Sequence, residues 1–426
     1  MIKFEIKVIK YLSVMLGTNV KHYVLLAEHK GKTTLISIPN LYLYNKSRSS
    51  LQTSKRYATL LAQFYRFLST QKRFKSLEPG DYHIHATNTE LRQWQIYRQV
   101  NRVNKASPHP TSETIFNDAC VVLYFFKWLF DEGIPTSVKI SLKTWTANFK
   151  DRRMLSYIAK KTRFALDSNP IRVLDKQSRQ KKAVHLIKHS EVKTLLSAYP
   201  DKVYATLFKF ALATAMRPME LVKFPYMGNG KNRHVLPYSE MDKESKSFSY
   251  EVLGKGNKLR DIIIPAYALK LLDDEYIKTE YLARAKLYRE RFGHKCPLST
   301  LFLTSEGVPV TQSMISNATN YAKKLAIAKD PSFSVTNIFY HARKWWPTMM
   351  MVQHHNGEKI LEKNAEVMHL ALTQVIMNQM GHEDPITTYN HYLVLARYLI
   401  MANKGITHET IHEDALNIHQ ALEMFG

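Results

Sequence analysis

Gly381-His382-Glu383-Asp384-Pro385-Ile386-Thr387-Thr388-Tyr389-Asn390-His391-Tyr392 is the stretch on which the reading of this chain turns. Gly381 is a helix stop, His382 follows it exposed, Thr387-Thr388 suits the cap of a new helix, and Tyr392 lies beyond. A tyrosine says little by itself in a chain that has 24 of them. It gains meaning from cations upstream: Arg217 opening a helix, Lys255 in a glycine-rich turn, and Arg343 in an aromatic segment. Guanidinium and ammonium groups beside a phenol suit attack on a phosphodiester, because they grip phosphate oxygens and favour the phenolate.

The bulk composition fits such a substrate. The 426 residues allow two domains with separate cores, and 45% hydrophobic residues exclude global disorder. A formal charge of +25 points to a polyanionic partner. Cys120 and Cys296 alone build neither a disulfide framework nor a cysteine zinc site, which fits a reducing compartment. The N-terminal apolar run is interrupted by lysines and a glutamate, and no run of about 18 uncharged apolar residues occurs. The expectation is a cytoplasmic, nucleoid-associated protein with no membrane partner.

Residues 1–48 read as a β-rich N-terminal extension, with β-branched and aromatic runs broken at Lys30-Gly31-Lys32 as in a hairpin. From 49 to 165 the period becomes helical. Tyr57, Leu60, Leu61, Phe64, Phe67 and Leu68 form one stripe; a second helix from Asn88 or Thr89 buries Leu91, Trp94, Tyr97 and Val100; a third runs from a Ser112 cap to Gly133. Lys55, Arg56, Arg92 and Arg98 are left for phosphate contact, and the aromatics read as core. A basic stretch follows, including Arg152, Arg153, Lys160, Lys161, Lys181 and Lys182, with an interdomain linker over 166–187 whose charge could follow a nucleic-acid backbone. A helix capped by Ser190 opens the last large domain, 188–400. Residues 401–426 read as a C-terminal helix with a stripe of Ile411, Ala415, Ile418, Leu422 and Phe425, covering its own domain or docking on another protomer.

In the large domain, ATLFKFALATAMRPMELVKF is an apolar helix, a turn at Met216-Arg217-Pro218 and a new helix in which Pro218 suits an early position. Glu220 either pairs with Arg217 on the surface or orients it in a cleft. SFSYEVLGKGNKLRDIIIPAYALKLL then reads as a strand, a turn carrying Lys255, a strand ending at Pro265, and a helix. Met216-Arg217-Pro218-Met219-Glu220-Leu221, GKGNKLRDIIIP and MGHEDPITT with a following tyrosine resemble, in order, the signature boxes of the tyrosine recombinase (phage integrase) family, over about 185–400 and more loosely from 50. The second arginine box maps to Tyr340-His341-Ala342-Arg343-Lys344, with Tyr340 where the family has histidine and His341 one position away. The segments before Lys255 and between Arg343 and Gly381 are longer than usual.

The resemblance implies a mainly α fold with a small β-sheet in the catalytic domain (α+β), preceded by a helical core-binding domain. It implies that Tyr392, rather than Tyr389 or His391, attacks a DNA phosphodiester to give a 3′-phosphotyrosyl. Arg217, Arg343 and His382 would bind the non-bridging oxygens, Lys255 would protonate the leaving 5′-oxygen, Tyr340 or His341 would assist proton removal, and Glu220 would orient Arg217. No cofactor or metal is expected, and His354-His355 read as solvated loop residues. The expected partners are double-stranded DNA and, in a synapse of two sites, a homotetramer. The alternatives are a type IB topoisomerase-like nicking-closing enzyme and a non-catalytic DNA-binding regulator of the same fold.

Overall fold

In the computed structural model, the structure describes residues 2–13, 17–29, 31–105, 109–142, 166–173, 186–254, 256–362, 365 and 368–403. The chain divides into two compact units, residues 1–182 and 183–426.

The first unit opens with an antiparallel sheet, β1 (Lys3–Ser13), β2 (Thr18–His29) and β3 (Lys32–Leu35), in which His29 faces Lys32 across the expected turn. Helices α1 (Ser37–Ser47), α2 (Leu51–Thr70), α3 (Asn88–Asn104) and α4 (Ser112–Asp131) follow. The sheet is not a separate layer with its own interior. Phe4, Leu25, Ala27 and Ile36 share one core with Leu61, Phe64, Leu68, Trp94 and Phe126. Asn40 ties α1 to β2 by accepting from the Leu25 amide and donating to its carbonyl, both at 2.7 Å.

Helix α3 starts at Asn88, as expected, and the cap of α4 lies one residue before its expected place. Thr87, with Glu90 accepting its amide at 2.8 Å, caps α3, and Thr111 rather than Ser112 caps α4. On α3 only the Leu91–Trp94 side packs inward. Tyr97 and Val100, expected in the core, are each 49% exposed. Periodicity marks an apolar face but does not say how far a neighbour covers it. Leu166 and Ile171, at the start of the stretch read as linker, are buried in this unit's core, and Gln95 Nε2 donates to the Ile171 carbonyl at 2.7 Å.

The second unit is helical around a two-stranded sheet. Helix α5 (His189–Ala198) starts one residue before Ser190, its first turn closed by Glu191 accepting the Lys188 amide at 2.8 Å. Helix α6 (Lys202–Thr214) leads to the short turn α7 (Pro218–Leu221), then to β4 (Ser247–Leu253) and β5 (Leu259–Pro265), paired from Ser247–Pro265 to Leu253–Leu259. Helix α8 (Ala266–Leu272) continues through a π-helical run, Asp273–Tyr281, into α9 (Leu282–Phe292). Helices α10 (Gln312–Lys329), α11 (Tyr340–His354), α12 (Leu370–Met380) and α13 (Pro385–Asn403) complete it. The apolar face of α6 (Val203, Leu207, Phe208, Phe210, Ala211) lies in one core with Ile262, Ile264, Trp345, Ile376 and Leu395.

The fold is thus mainly α with small antiparallel sheets, as expected. His354 and His355 prove to be the end of α11 rather than a loop, and Pro385, not the Thr-Thr pair, opens α13. No described helix is long and apolar enough to cross a membrane. Residues 404–426, where the C-terminal stripe falls, lie outside the described residues.

Candidate active site

The site is built where two helices end against a buried carboxylate. Helix α6 stops at Ala215, which is left-handed (φ 54°), and helix α12 stops at Gly381 (φ 59°). Their last carbonyls point at arginines. Arg343, 1% exposed on the first turns of α11, donates through Nη1 to the Ala215 carbonyl and through Nη2 to the Met380 carbonyl. Arg217 Nη2 reaches the same Met380 carbonyl at 2.9 Å. Helix C-termini carry partial negative charge and unpaired carbonyls, so this is where guanidinium groups are stabilised.

Glu220, fully buried, is the counter-ion. Proline at 218 starts α7 with Arg217 just before it, and Glu220 three residues on accepts both the Arg217 amide and its Nη1, each at 2.8 Å. A third guanidinium completes the group. Arg260 of β5 clasps both Glu220 oxygens, at 2.9 and 2.8 Å, and Arg343 lies 3.8 Å away. Burial alone would raise the Glu220 carboxyl, but the hydrogen bonds and charges of Arg260 and Arg217 hold it below its usual range. Burial, together with the Arg217 and Arg260 charges, pulls Arg343 down to about 10, still protonated at neutral pH.

His382 follows Gly381 directly. Burial and the charges of Arg343 and Arg217 lower its imidazole to about 4, so the ring is neutral at pH 7. Its Nδ1 lies 3.1 Å from Thr388 Oγ1. With Thr388 donating there, Nε2 keeps its proton and is a hydrogen-bond donor. The Tyr392 ring stacks on His382 at 6.2 Å between centroids and 9° between planes. Tyr392 is 2% exposed. Burial raises its phenol, against the pull of Arg343 and Arg217. Tyr389, by contrast, is spent on structure: its hydroxyl donates to the Ala365 carbonyl at 2.8 Å and lies 3.2 Å from His355 Nε2.

Tyr340, 39% exposed at the start of α11, acts electrostatically on both Arg343 and Tyr392. His341 is buried, its Nδ1 turned to the Ile338 amide at 3.5 Å. Lys255 lies outside the described residues. Its neighbours Gly254 and Gly256, with Arg217, Lys258, Arg260, Gly381 and His382, line an open cavity of about 700 Å³.

Two residues that sequence reasoning missed hold the site together. Arg260 was legible from the alternation of β5, which puts it on the inward face with Ile262 and Ile264, where a charge needs a partner. Gln379, 3% exposed, donates to the carbonyls of Thr214 (2.7 Å) and Ile263 (3.0 Å) and accepts the Ile263 amide (3.0 Å), joining α6, β5 and α12. No sequence pattern marks it.

On the first unit, Lys55 and Arg92 are exposed, and Arg56 is largely exposed although 3.4 Å from Asp118. Arg98 is instead held at home, 2.9 Å from Asp118 with its guanidinium over the Trp94 ring. Arg152, Arg153, Lys160, Lys161, Lys181 and Lys182 lie outside the described residues. Among the described residues, no group of three or more His, Cys, Asp or Glu is placed to hold a metal ion.

A helical unit around a two-stranded sheet, with arginines gathered at helix ends beside a late tyrosine, has the fold of the tyrosine recombinases. Among solved structures, the chain is similar to the XerH site-specific recombinase bound to palindromic difH substrate (15% identity, 84% of this chain and 80% of that one, TM-score 0.50). It is similar also to the Tn1549 transposon integrase in complex with a circular intermediate DNA (13% identity, 84% and 94%, TM-score 0.50). No family model and no curated protein matches the chain.

Proposed function

We propose that the protein is an integrase-type site-specific DNA recombinase that cleaves and rejoins strands through a 3′-phosphotyrosyl intermediate. One observation carries the reading: Arg217 and Arg343, remote in sequence, meet at the Met380 carbonyl next to His382, Arg217 and His382 line the cavity, and Tyr392 stacks on His382. The two similar structures are of DNA-bound proteins, a recombinase and an integrase.

In the proposed step, the Tyr392 oxygen forms a bond to phosphorus and the bond from phosphorus to the 5′-oxygen breaks. Arg217 and the Nε2–H of His382 bind the non-bridging oxygens, where charge develops, and Arg343, held on the Ala215 and Met380 carbonyls, adds its positive charge from behind them. The phenolic proton leaves by way of Tyr340, the group open to solvent beside it, and Lys255 protonates the 5′-oxygen. The ester conserves the energy of the broken bond, so a second 5′-hydroxyl reverses the step without ATP. Because Tyr392 is buried, it must swing out of its stack on His382 to reach a phosphate in the cavity. The synaptic partner is proposed to be a homotetramer on two DNA sites, in the cytoplasm.

A nicked suicide duplex carrying a site selected by this protein's own binding from a random-sequence DNA pool tests this. Wild type should trap a covalent adduct whose peptide mass maps to Tyr392, and Tyr392→Phe should bind the same DNA and trap none. DNA binding with no adduct under any condition would turn the reading to a regulator that keeps the fold without the chemistry. Relaxation of supercoiled DNA by a monomer would turn it to a nicking-closing enzyme.

A further inference from the structure

We infer that Arg260 is a positioning residue of this site, a brace that acts through Glu220 to fix the Arg217 fork and ties it to the turn carrying Lys255. The inference rests on the recombinase reading above and adds a group that the reading does not use.

The geometry is that of a shared carboxylate. Arg260 binds Glu220 with both Nη groups, while Arg217 binds the same carboxylate through Nη1 and its own backbone amide. Glu220 is fully buried and the side chains of Arg260 and Arg217 are 12% and 18% exposed, so none can turn to water without stranding a charge. Without Arg260, Glu220 keeps only Arg217 and the more distant Arg343, and is free to pull the Arg217 fork off the cavity wall.

Two glycines leave room for the brace. A Cβ at Gly254, the residue before Lys255, would stand 2.6 Å from Arg260 Nη1 and 3.4 Å from Glu220 Oε1. A Cβ at Gly381, the residue before His382, would stand 3.2 Å from Arg260 Cδ and Nε. The Arg260 side chain therefore fills the space between the Lys255 turn and the His382 segment, and it lines the cavity with both. Its Nε–H is buried without a partner among the described residues. Lysine cannot replace it, since a single ammonium does not span both carboxylate oxygens in a fixed plane.

The test compares Arg260→Lys, Arg260→Gln, Glu220→Gln and the double variant Glu220→Gln/Arg260→Gln in the full chain, on the suicide duplex. Single-turnover adduct formation at saturating protein should fall about 10- to 100-fold in Arg260→Lys, with DNA affinity within about threefold of wild type, since a displaced fork weakens the transition state more than binding. The double variant should be no slower than its slower parent, because both residues act through one contact. Removing the Arg260 charge should also move the acid limb of the pH–rate profile upward, since that charge helps keep His382 neutral; a residue that only stabilised the fold would leave the limb in place. If Arg260→Gln does not fold, Arg260→Lys decides alone. Wild-type rates in Arg260→Lys, or fully additive losses in the double variant, would overturn the brace. A wild-type chain that forms no adduct is a failure of the recombinase reading, visible before any variant is compared.

Discussion

Arg343 has both Nη groups on backbone carbonyls and 1% of its surface exposed, so its plane is set before any substrate arrives. In the proposed mechanism, a cation fixed in this way adds its field to the developing charge without reorganising at the moment of reaction. His382 adds the opposite kind of group, a donor kept neutral by its cationic neighbours. Its lowered value, about 4 against the usual 6.5, has a consequence for stability. Between those two values the unfolded chain binds a proton at this residue that the folded chain does not, so stability falls as pH drops through the window and is unaffected above it. His382→Gln should therefore flatten part of the loss of melting temperature between pH 6.5 and 4. An identical acid slope in the variant would show that His382 titrates normally in the fold.

At the scale of elements, two helix ends make the site, and Gly381 is where α12 must turn. Gly381→Ala meets two obstacles, a left-handed backbone and a Cβ 3.2 Å from Arg260 and 3.3 Å from Arg217. Gly293, which ends α9 with φ 75°, has the same backbone and nothing within 4 Å of its Cβ. Both alanine variants should lose about 1–2 kcal/mol in denaturant unfolding, the cost of a left-handed residue with a side chain. Only Gly381→Ala should also slow adduct formation; equal activity in the two would mean the arginine forks shift freely. This element could be read ahead of the structure because helix stops, hairpin turns and inward-facing strand residues leave local marks. The Lys30-Gly31-Lys32 turn, the two strands around Lys255 and the Arg217–Glu220 pair were all legible that way. Arg260 left a mark that was overlooked, in the alternation of β5. Gln379 left none, because its partners lie on strands and helices over a hundred residues away. The exposure of Tyr97 and Val100 was equally hidden, since it depends on what lies opposite α3 and not on α3 itself.

For the whole molecule, the surplus of +25 sets the conditions under which the proposed DNA binding operates. Lys55, Arg56 and Arg92 stand exposed on the first unit and are the proposed phosphate contacts there. If six or more are neutralised, affinity should fall about a thousandfold or more between 50 and 200 mM salt, by release of counterions. A flat salt response in a filter-binding titration would remove phosphate contact from the account. The site imposes a different constraint, one of timing. Arg217 closes on a carbonyl 163 positions further along the chain. At roughly 5–20 residues per second, a ribosome delivers that carbonyl about 8–30 s after the arginine. On the proposed mechanism, a nascent chain that meets DNA in the interval has the first guanidinium but neither the imidazole nor the phenol, and leaves that DNA unbroken.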